Sequence, residues 1–332
     1  MPRVSVLLPV RDALSTLPEC LASLSAQTLA DHEVVAVDDG SADGSGACLD
    51  GAARRDGRVR VLHTGRRGIA AALNLALAEA RAPLVARMDA DDVAHPERLR
   101  LQAERLEASP GTHVLGCRVR LCGGVDNQGM RAYVAWQNAL TDHEAIAREL
   151  WVESPLAHPS VALRAADLRA LSGYRDFDGP EDYDLWLRAH AAGWRFAKLT
   201  EELLDWRDHP GRLSRRDPRY APERFRALKI EALERGPLRG RAVVVWGAGP
   251  IGKGWAKALL GRGHRLEAFV EVSPRRIGAR IHGVPVLDAR AATRLKGPLH
   301  LAAVGQPGAR ARIREEAAGS GLVDGVDLLA VA

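Results

Sequence analysis

The sequence predicts an α/β protein in which a doubly wound, mostly parallel sheet is followed by a second, smaller α/β domain. Short apolar segments alternate with helical segments through the first third of the chain, and acidic clusters directly follow two of the apolar segments. A pattern of strand, glycine turn and helix then starts afresh near residue 242. With 332 residues, the chain is long enough for two ordinary domains with cores of their own.

The first domain opens with alternating strands and helices. Residues 4–9 form a continuous apolar run, which predicts a buried strand, and Leu17, Leu21 and Leu24 then recur at helical spacing. Because parallel strands joined by helices end at one edge of their sheet, the acidic clusters are expected on that edge. Further strands are predicted over residues 33–37, 59–63 and 84–88, and helices over residues 69–80 and 96–107.

The pattern weakens over residues 116–151, where Gly123, Gly124 and polar residues predict less regular structure. A strand is predicted over residues 160–164, and helices over residues 182–192 and 222–233. Residues 235–240 carry the glycine and proline punctuation of a linker. The predicted division is a first domain at 1–235, a linker at 236–240 and a second domain at 241–332. Strands of the second domain are predicted over residues 242–246, 266–270 and 300–304, and a helix from Lys253.

Three carboxylates, Asp89, Asp91 and Asp92, follow the fourth predicted strand. Open α/β folds keep their sites at the carboxyl edge of the sheet, and carboxylate oxygens suit Mg²⁺ or Mn²⁺. Such an ion, completed by substrate oxygens, would offset the charge of a diphosphate. The alternative is that Asp92 caps the helix that follows, which explains one acid and leaves two. The cluster therefore predicts a metal or phosphate site.

Composition excludes several classes of protein. A content of 46% hydrophobic and 27% charged residues is typical of a globular chain, and no apolar run approaches the roughly 18 residues of a membrane span. The net charge of +5 is concentrated in residues 236–332, but the arginines are scattered, so nucleic acid is not an expected partner. The four cysteines lack CxxC spacing and the N-terminus lacks a signal-peptide pattern. A cytoplasmic location, with at most peripheral membrane contact, is expected.

Seven short features occur in a fixed order over residues 1 to about 215, and each alone is a weak signal. Together they resemble glycosyltransferase family 2, whose inverting enzymes have the GT-A fold that binds nucleotide sugars. The matching pieces are the opening strand with Pro9, VDDGS at 37–41, GIAAALN at 68–74, MDADD at 88–92, HPS at 158–160, EDYDLW at 181–186 and WRDH at 206–209.

The resemblance implies a nucleoside pocket at the first two strands. Asp39 would accept a ring N–H of the base, uracil or thymine, and Pro9 and Arg11 would line the same pocket. Arg67 or Arg66 would meet the base or the diphosphate, although both could equally be ordinary solvated arginines. The alternative for residues 38–41 is a turn built from residues that favour turns.

The resemblance also implies roles for the acids after the fourth strand. Asp89 would face the ribose and Asp91 would hold the Mn²⁺ or Mg²⁺ ion. His209 would close over the diphosphate or complete the metal shell, with Arg207 as an anion partner. Family members often have an arginine before the asparagine of the third motif, where this chain has Leu73, so a phosphate contact expected there is in doubt.

On the acceptor side, the resemblance makes Asp182 the general base. Its predicted place at a helix start would keep it ionised, which suits a base. Glu181 is the lesser candidate, because one helical step decides which acid points inward, and both could merely begin the helix. His158 is either a site residue or a satisfied structural histidine. Trp186 is predicted to be core packing.

In the second domain, Gly247, Gly249 and Gly252 form a GxGxxG turn between a strand and a helix, and Glu271 lies where a ribose-binding acid would be. Alone, this favours an NAD(P)-dependent oxidoreductase. The domain is short for that fold, however, and resembles a small Rossmann-like domain of some sugar-modifying acyltransferases. The turn would hold a nucleotide-sugar phosphate, or the domain would be a scaffold or oligomerisation module.

The resemblance therefore implies an inverting glycosyltransferase that moves a sugar from a nucleoside diphosphate sugar, UDP-linked, to an acceptor hydroxyl. The expected acceptor is a glycan, a lipid-linked molecule or a small molecule, in bacterial envelope polysaccharide assembly at the inner face of the membrane. An oligomer is compatible with the sequence. An NAD(P)-dependent oxidoreductase and a non-catalytic nucleotide-sugar-binding protein remain as alternatives.

Overall fold

The computed structural model describes residues 1–123 and 127–332. Gly124, part of the segment predicted to be irregular, lies outside the described residues. The chain forms two compact units. The first consists of Met1–Ile146 and Pro155–Tyr220, and the second of Ala147–Ser154 and Ala221–Ala332.

The first unit is built on an eight-stranded mixed sheet. Its strands are β1 Val4–Val10, β2 His32–Asp39, β3 Val59–Thr64, β4 Leu84–Arg87, β5 Val93–Ala94, β6 Val114–Cys122, β7 Ala162–Arg164 and β8 Phe196–Arg207. Their spatial order is β3-β2-β1-β4-β7-β6-β8-β5. The three pairings among β3, β2, β1 and β4 are parallel, and β7 runs antiparallel to both β4 and β6. The predicted α/β class with a parallel-rich sheet is confirmed.

Helices connect these strands and cover the sheet. They are α1 Leu17–Ser25, α2 Ser45–Arg55, α3 Ile69–Glu79, α4 Arg98–Ala108, α5 Gln128–Ala139, α6 His143–Glu149, α7 Ala165–Ala170, α8 Glu181–Ala191 and α9 Leu213–Arg216, with single 3₁₀ turns at His158–Ser160 and Pro218–Tyr220. Every residue of β2 is buried, which explains its continuous apolar run, because a strand covered on both faces has no solvent-facing positions. Buried leucine, valine and alanine side chains from β1, β2, β4, α1 and α4 belong to one core cluster.

The segment predicted to be irregular contains regular structure. Residues 116–151 include most of β6, all of α5 and all of α6. The prediction failed because Arg118 and Arg120 interrupt the apolar pattern of β6, whose register with β8 also shifts at Arg118. Strand regularity near residue 160 begins two residues later than predicted, since the HPS motif itself forms a 3₁₀ turn.

The second unit has a six-stranded sheet in the order β11-β12-β10-β9-β13-β14. All neighbouring strands from β12 to β14 are parallel, and β11 adds an antiparallel edge. Its elements are α10 Pro222–Arg235, β9 Val243–Trp246, α11 Pro250–Gly261, β10 Leu266–Val270, β11 Arg280–Ile281, β12 Val284–Leu287, α12 Ala289–Ala292, β13 Leu299–Ala302, α13 Ala309–Gly319 and β14 Leu328–Ala330.

The division between the units differs from the predicted linker at 236–240. It falls before α10, because this helix packs in the second unit. The buried Lys229 of α10 donates to the carbonyl oxygens of Val152, at 2.6 Å, and Val331, at 3.2 Å. Glu149 pairs with Arg310 and Arg314 of α13. Segment 147–154 therefore belongs to the second unit although the sequence places it between β6 and β7.

Within the described part of the chain, no helix has both the length and the apolar character that a membrane span requires.

Candidate active site

The carboxyl ends of β1, β2 and β4 meet at one edge of the first sheet. Val10 pairs with Asp38 across β1 and β2, and Leu7 pairs with Arg87 across β1 and β4. Because parallel ladders keep strand ends side by side, the acids after β2 and those after β4 lie at the same edge. This is the edge where open α/β sheets bind their ligands.

The acids that follow β4 form a tight cluster. One carboxylate oxygen from each of Asp89, Asp91 and Asp92 lies within 4.8 Å of the others. Arg87 forms an ion pair with Asp89, and His209 Nε2 lies 2.9 Å from Asp91 Oδ2. The structure therefore brings together three of the predicted residues, Asp89, Asp91 and His209.

Asp92 does not cap the helix that follows it. Helix α4 begins at Arg98 with Glu97 in the N-cap position, so the capping alternative for Asp92 is wrong. Asp92 Oδ1 instead accepts the backbone N–H of Arg207 at 2.8 Å, which joins the acid loop to the end of β8. Its other oxygen, Oδ2, is buried and has no hydrogen-bond partner among residues 1–123 and 127–332.

The electrostatics of the cluster suit a divalent cation. Burial raises the pKa of Asp92 well above its usual range, and repulsion from Asp89 and Asp91 adds to the shift. Burial also raises the pKa of Asp89, although the charge of Arg87 opposes that shift. A cation relieves such repulsion, and hard carboxylate oxygens are ligands of Mn²⁺ and Mg²⁺. The donor set and the unpartnered oxygen of Asp92 therefore fit either ion.

Arg207 supports the acid loop. Its Nε donates to the carbonyl oxygen of Asp91 at 2.8 Å, and its guanidinium also pairs with Glu19 of α1. These contacts occupy the side chain that was predicted to be an anion partner. Asp91 is thus held from two directions, by Arg207 on its backbone and by His209 on its carboxylate.

Asp39 lies buried at the end of β2. Its Oδ1 accepts the backbone N–H of Arg67 at 2.6 Å, and its Oδ2 accepts that of Gly68 at 3.0 Å. These bonds fix the loop before α3 against β2. Each carboxylate oxygen retains a second lone pair for another donor. Pro9 is half-buried, and the side chains of Arg11 and Arg67 are exposed at the same edge. The nucleotide-binding roles of these residues stay predictions.

Asp38 stabilises the turn that follows β2, which is the structural alternative to a nucleotide-binding role for residues 38–41. It accepts the backbone N–H of Ser41 at 3.0 Å, and His63 Nδ1 lies 3.1 Å from its Oδ2. Although burial acts to raise it, the pKa of Asp38 is held below its usual range by these hydrogen bonds. His63 also contacts Asp50 at 2.9 Å, and the two carboxylates raise the pKa of His63.

Two acids begin helix α8, and their surroundings differ. Glu181 is buried and accepts the hydroxyl of Tyr220 at 2.6 Å, while His158 Nδ1 lies 3.7 Å from its Oε1. Asp182 is half-buried and accepts the backbone N–H of Tyr183 at 2.7 Å. Burial raises the pKa of Glu181. Of the two acids, Asp182 is the more accessible to an incoming molecule.

His158 is buried beside these acids. Burial holds the pKa of His158 well below its usual range, and the charge of Arg87 acts in the same direction. Its Nε2 lies 3.1 Å from the hydroxyl oxygen of Tyr174. Trp186 meets the imidazole edge-on and is fully buried, as predicted for core packing. His158 is therefore a neutral and hydrogen-bonded residue buried beside Glu181.

Comparison with known proteins identifies the family. The glycosyl transferase family 2 model matches residues 5–170, which is half of the chain. The chain belongs to glycosyltransferase family 2. The glycosyltransferase is 30% identical to EpsE of Bacillus subtilis, named as a glycosyltransferase, over 66% of this chain and 78% of EpsE. It is 31% identical to the amylovoran biosynthesis glycosyltransferase AmsE of Erwinia amylovora, over 57% of this chain and 69% of AmsE.

Solved structures share the fold of this glycosyltransferase. S. aureus TarS in complex with UDP-GlcNAc superposes with a TM-score of 0.56 at 21% identity, over 70% of this chain and 67% of TarS. The mannosyltransferase PcManGT of Pyrobaculum calidifontis, in complex with GDP-Man and Mn²⁺, superposes with a TM-score of 0.52 at 20% identity, over 79% of each chain. The GT-A fold of the first unit is confirmed.

Three residues that the sequence did not single out contribute to the site of the glycosyltransferase. Arg87 and Tyr220 contact Asp89 and Glu181, respectively. Arg212 stacks over the ring of Trp206 at 4.3 Å, and its charge opposes the rise that burial produces in the pKa of Asp89. A basic residue inside an apolar strand, as in Arg87, is the one signal in the sequence that could have found any of them.

The glycine turn of the second unit connects β9 to α11. Gly247 has φ +102, and a Cβ on it would lie 2.6 Å from Val304 Cγ2; a Cβ on Gly252 would lie 1.7 Å from the Gly247 carbonyl oxygen. Close packing within the unit thus requires both glycines. Glu271 accepts from Arg276 at 3.1 Å, so the acid at the end of β10 already has a cation partner. Ligand binding at Gly247, Gly249 and Gly252 stays a prediction.

Proposed function

We propose that this family 2 enzyme transfers a sugar with inversion from a UDP-linked donor to an acceptor hydroxyl, using Mn²⁺ or Mg²⁺. The observation that supports this most strongly is the cluster of Asp89, Asp91 and Asp92, with carboxylate oxygens within 4.8 Å of one another at the carboxyl edge of the sheet. The binding of UDP-GlcNAc by TarS, and of GDP-Man with Mn²⁺ by PcManGT, supports a nucleotide-sugar donor.

Asp91 and His209 would hold the ion, with Asp89 directed to the ribose. When bound, the ion would neutralise the diphosphate as the glycosidic bond breaks. The protein keeps these ligands in place through Arg207, which anchors the backbone of Asp91, and through Arg87, which pairs with Asp89. Asp39, Pro9, Arg11 and Arg67 would bind the nucleoside end of the donor.

Asp182 would act as the general base. A neutral sugar hydroxyl attacks the anomeric carbon only as its proton departs, and a carboxylate oxygen of Asp182 would take that proton. The half-buried position of Asp182 at the first turn of α8 supports this role, because the helix N-terminus stabilises the ionised carboxylate. Glu181, buried against Tyr220, would position the helix and not meet the acceptor.

The acceptor would be a glycan, a lipid-linked molecule or a small molecule of polysaccharide assembly. The name of AmsE, an amylovoran biosynthesis glycosyltransferase, supports this pathway class. The reaction would take place in the cytoplasm, with peripheral contact to the inner face of the membrane. The second unit would be an accessory domain, with the loop at Gly247 to Gly252 as its ligand-binding segment.

A thermal-shift panel tests the donor. UDP with Mn²⁺ should raise the melting temperature, and UDP alone should raise it less, because ligands that bind only the folded state stabilise it. NADH should have no effect. Stabilisation by NADH without any response to UDP would overturn the proposal in favour of a nicotinamide-dependent enzyme. Hydrolysis of a panel of UDP-sugars with Mn²⁺ then identifies the donor without knowledge of the acceptor.

The variant Asp182→Asn separates a transferase from a binding protein. It should keep the UDP affinity of the wild type while turnover falls by at least about 100-fold, since general base catalysis contributes on that order. Asp176→Asn is the matched control, because Asp176 is an exposed acid in the loop that precedes α8. Turnover by Asp182→Asn equal to that of the control would remove Asp182 from the role of base.

A further inference from the structure

One surface loop of the second unit is rich in arginine and contains no acid. This segment, residues 272–283, follows β10, and we call it the basic loop. It carries Arg275, Arg276 and Arg280, all of them exposed. Arg276 pairs at 3.1 Å with Glu271, the residue just before the loop. Three arginines less one glutamate leave the loop and Glu271 with a net charge of +2.

The basic loop also exposes two large aliphatic side chains. Val272 is 86% exposed and Ile277 is 37% exposed. Single apolar side chains are common on protein surfaces and need no explanation. These two, however, lie five residues apart in the sequence, with two arginines between them and a third shortly after. Exposed aliphatic surface and unbalanced positive charge therefore share one short segment.

Hydrogen bonds hold the basic loop in a compact shape. In its first half, the N–H of Arg276 donates to the carbonyl oxygen of Ser273 at 3.0 Å, and that of Ala279 to the carbonyl oxygen of Arg276 at 3.1 Å, which makes two successive turns. Its second half is a hairpin between β11 and β12, and the tip residues His282 and Gly283 have φ of 51 and 78. Positive φ at both positions is typical of the two-residue turn that matches the twist of a hairpin. The exposed side chains therefore lie on one folded segment at the edge strand of the second sheet.

This combination of groups fits an anionic lipid bilayer better than other partners. At a bilayer surface, guanidinium groups pair with lipid phosphates while aliphatic side chains enter the acyl boundary. Single-stranded nucleic acid stacks its bases on aromatic rings, and the basic loop contains no Phe, Tyr or Trp. A stable protein interface takes about 20–30 residues from each partner. The basic loop has only 12 residues.

We propose that the basic loop docks the second unit onto anionic lipid, with Arg275 and Arg280 against lipid phosphates and Val272 and Ile277 in the interface. This names the contact surface for the peripheral membrane location, and it rests on that part of the proposed function. The docking is reversible and salt-dependent, because salt screens the phosphate contacts and two aliphatic side chains insert only weakly. It concentrates the enzyme at the surface that would hold a lipid-linked acceptor.

Flotation of the full chain with lipid vesicles, without substrate, tests the docking. The wild type should float with vesicles of equal parts phosphatidylglycerol and phosphatidylcholine at about 0.1 M salt, but not with pure phosphatidylcholine or at about 1 M salt. Arg275→Gln with Arg280→Gln should lower the partition coefficient by about 25-fold, since each arginine near such a surface contributes about fivefold. Val272→Asn with Ile277→Asn should lower it by at least about tenfold and leave its salt dependence unchanged.

Two control variants carry the same changes elsewhere in the second unit. Arg294→Gln with Arg312→Gln removes the same charge from two exposed arginines outside the basic loop. Val323→Asn with Val326→Asn changes aliphatic side chains that are 55% and 58% exposed but have acidic residues beside them. Both controls should bind the anionic vesicles within about twofold of the wild type, because screened charges act only at short range. Equal losses in the loop variants and their controls would overturn the proposal.

Vesicle binding and turnover are measured separately, which keeps the docking distinguishable from sugar transfer. If the wild type bound no UDP and hydrolysed no nucleotide sugar, the proposed transfer would fail and flotation would still decide the docking. If the wild type did not float with the anionic vesicles, or if both basic-loop variants floated as it does, the docking would be overturned and the transfer could stand. Binding of polyuridylate that the arginine variant abolishes, without vesicle binding, would assign the basic loop to nucleic acid instead.

Discussion

The hydrogen bond from Tyr220 to Glu181 allows a prediction that can be worked through from the structure. The Tyr220 hydroxyl donates at 2.6 Å to a carboxylate that is 3% exposed, and it favours the ionised form of that acid. Tyr220→Phe removes the donor and leaves the ring in place. The buried carboxylate then loses a hydrogen bond for which water is a poor substitute.

The expected cost depends on pH. A hydrogen bond to a charged group contributes about 1.5–3 kcal/mol to stability, whereas a bond between neutral groups contributes about 1 kcal/mol. Burial raises the pKa of Glu181 in the folded protein above the pKa of an unfolded glutamate. As pH rises above the ordinary carboxyl range, the unfolded state therefore loses this proton first, and the stability of the folded state falls. Loss of the Tyr220 donor raises that pKa further. The variant should therefore lose more stability at high pH than at low pH.

Urea unfolding of the wild type and Tyr220→Phe at about pH 5 and about pH 8 measures the difference. The loss should be about 1 kcal/mol or less at the lower pH and about 1.5–3 kcal/mol at the higher. Tyr174→Phe is the matched control, because its hydroxyl contacts His158, which burial keeps neutral, and its cost should be the same at both values. A cost for Tyr220→Phe that did not change with pH would refute the reasoning.

Three further predictions concern the first unit. Gly173→Ala should lower the free energy of unfolding in urea by at least about 2 kcal/mol, because Gly173 has φ +62 and a Cβ would lie 2.4 Å from Asn74 Oδ1. Gly193 has φ +77 but open space around it, so Gly193→Ala should lower that free energy by about 1 kcal/mol. Asp91→Asn should weaken UDP binding in the presence of Mn²⁺ by at least about tenfold in calorimetry; an unchanged metal dependence would exclude Asp91 as a ligand. Burial lowers the pKa of Lys198 to about 7. Because the unfolded state then binds the proton more tightly, the wild type should lose stability as pH falls from about 10 towards 7. Lys198→Met should lack this dependence of unfolding free energy on pH in urea titrations.

The half of the fold that contains β1 to β4 could be predicted from local pattern. The strand predicted over residues 33–37 is β2 His32–Asp39, and the helix predicted over residues 69–80 is α3 Ile69–Glu79. These elements are buried, so their apolar runs are continuous. Strand β8 was missed because exposed residues such as Glu201 and Glu202 interrupt its apolar pattern.

The candidate site was predictable where its residues share a motif. Asp89, Asp91 and Asp92 are adjacent in sequence and remain adjacent in space. The contact of Tyr220 with Glu181 joins distant segments through the tertiary fold, and no local pattern announces it. Likewise, the identity of the accessible acid at the start of α8 depended on one helical step. The structure supplies it, because Glu181 packs inward and leaves Asp182 half-exposed.

The placement of residues 147–154 has a practical consequence for dissecting this protein. Leu150 and Trp151 of that stretch are buried, and Lys229 of α10 donates a hydrogen bond to the carbonyl oxygen of Val152. The polypeptide therefore passes from one unit to the other three times. A single cut at 236–240 would separate this stretch from Arg310 and Arg314, which pair with Glu149, and from the core of the second sheet, against which Val152 packs. A shortened protein that ends at 236–240 should therefore aggregate instead of retaining transferase activity.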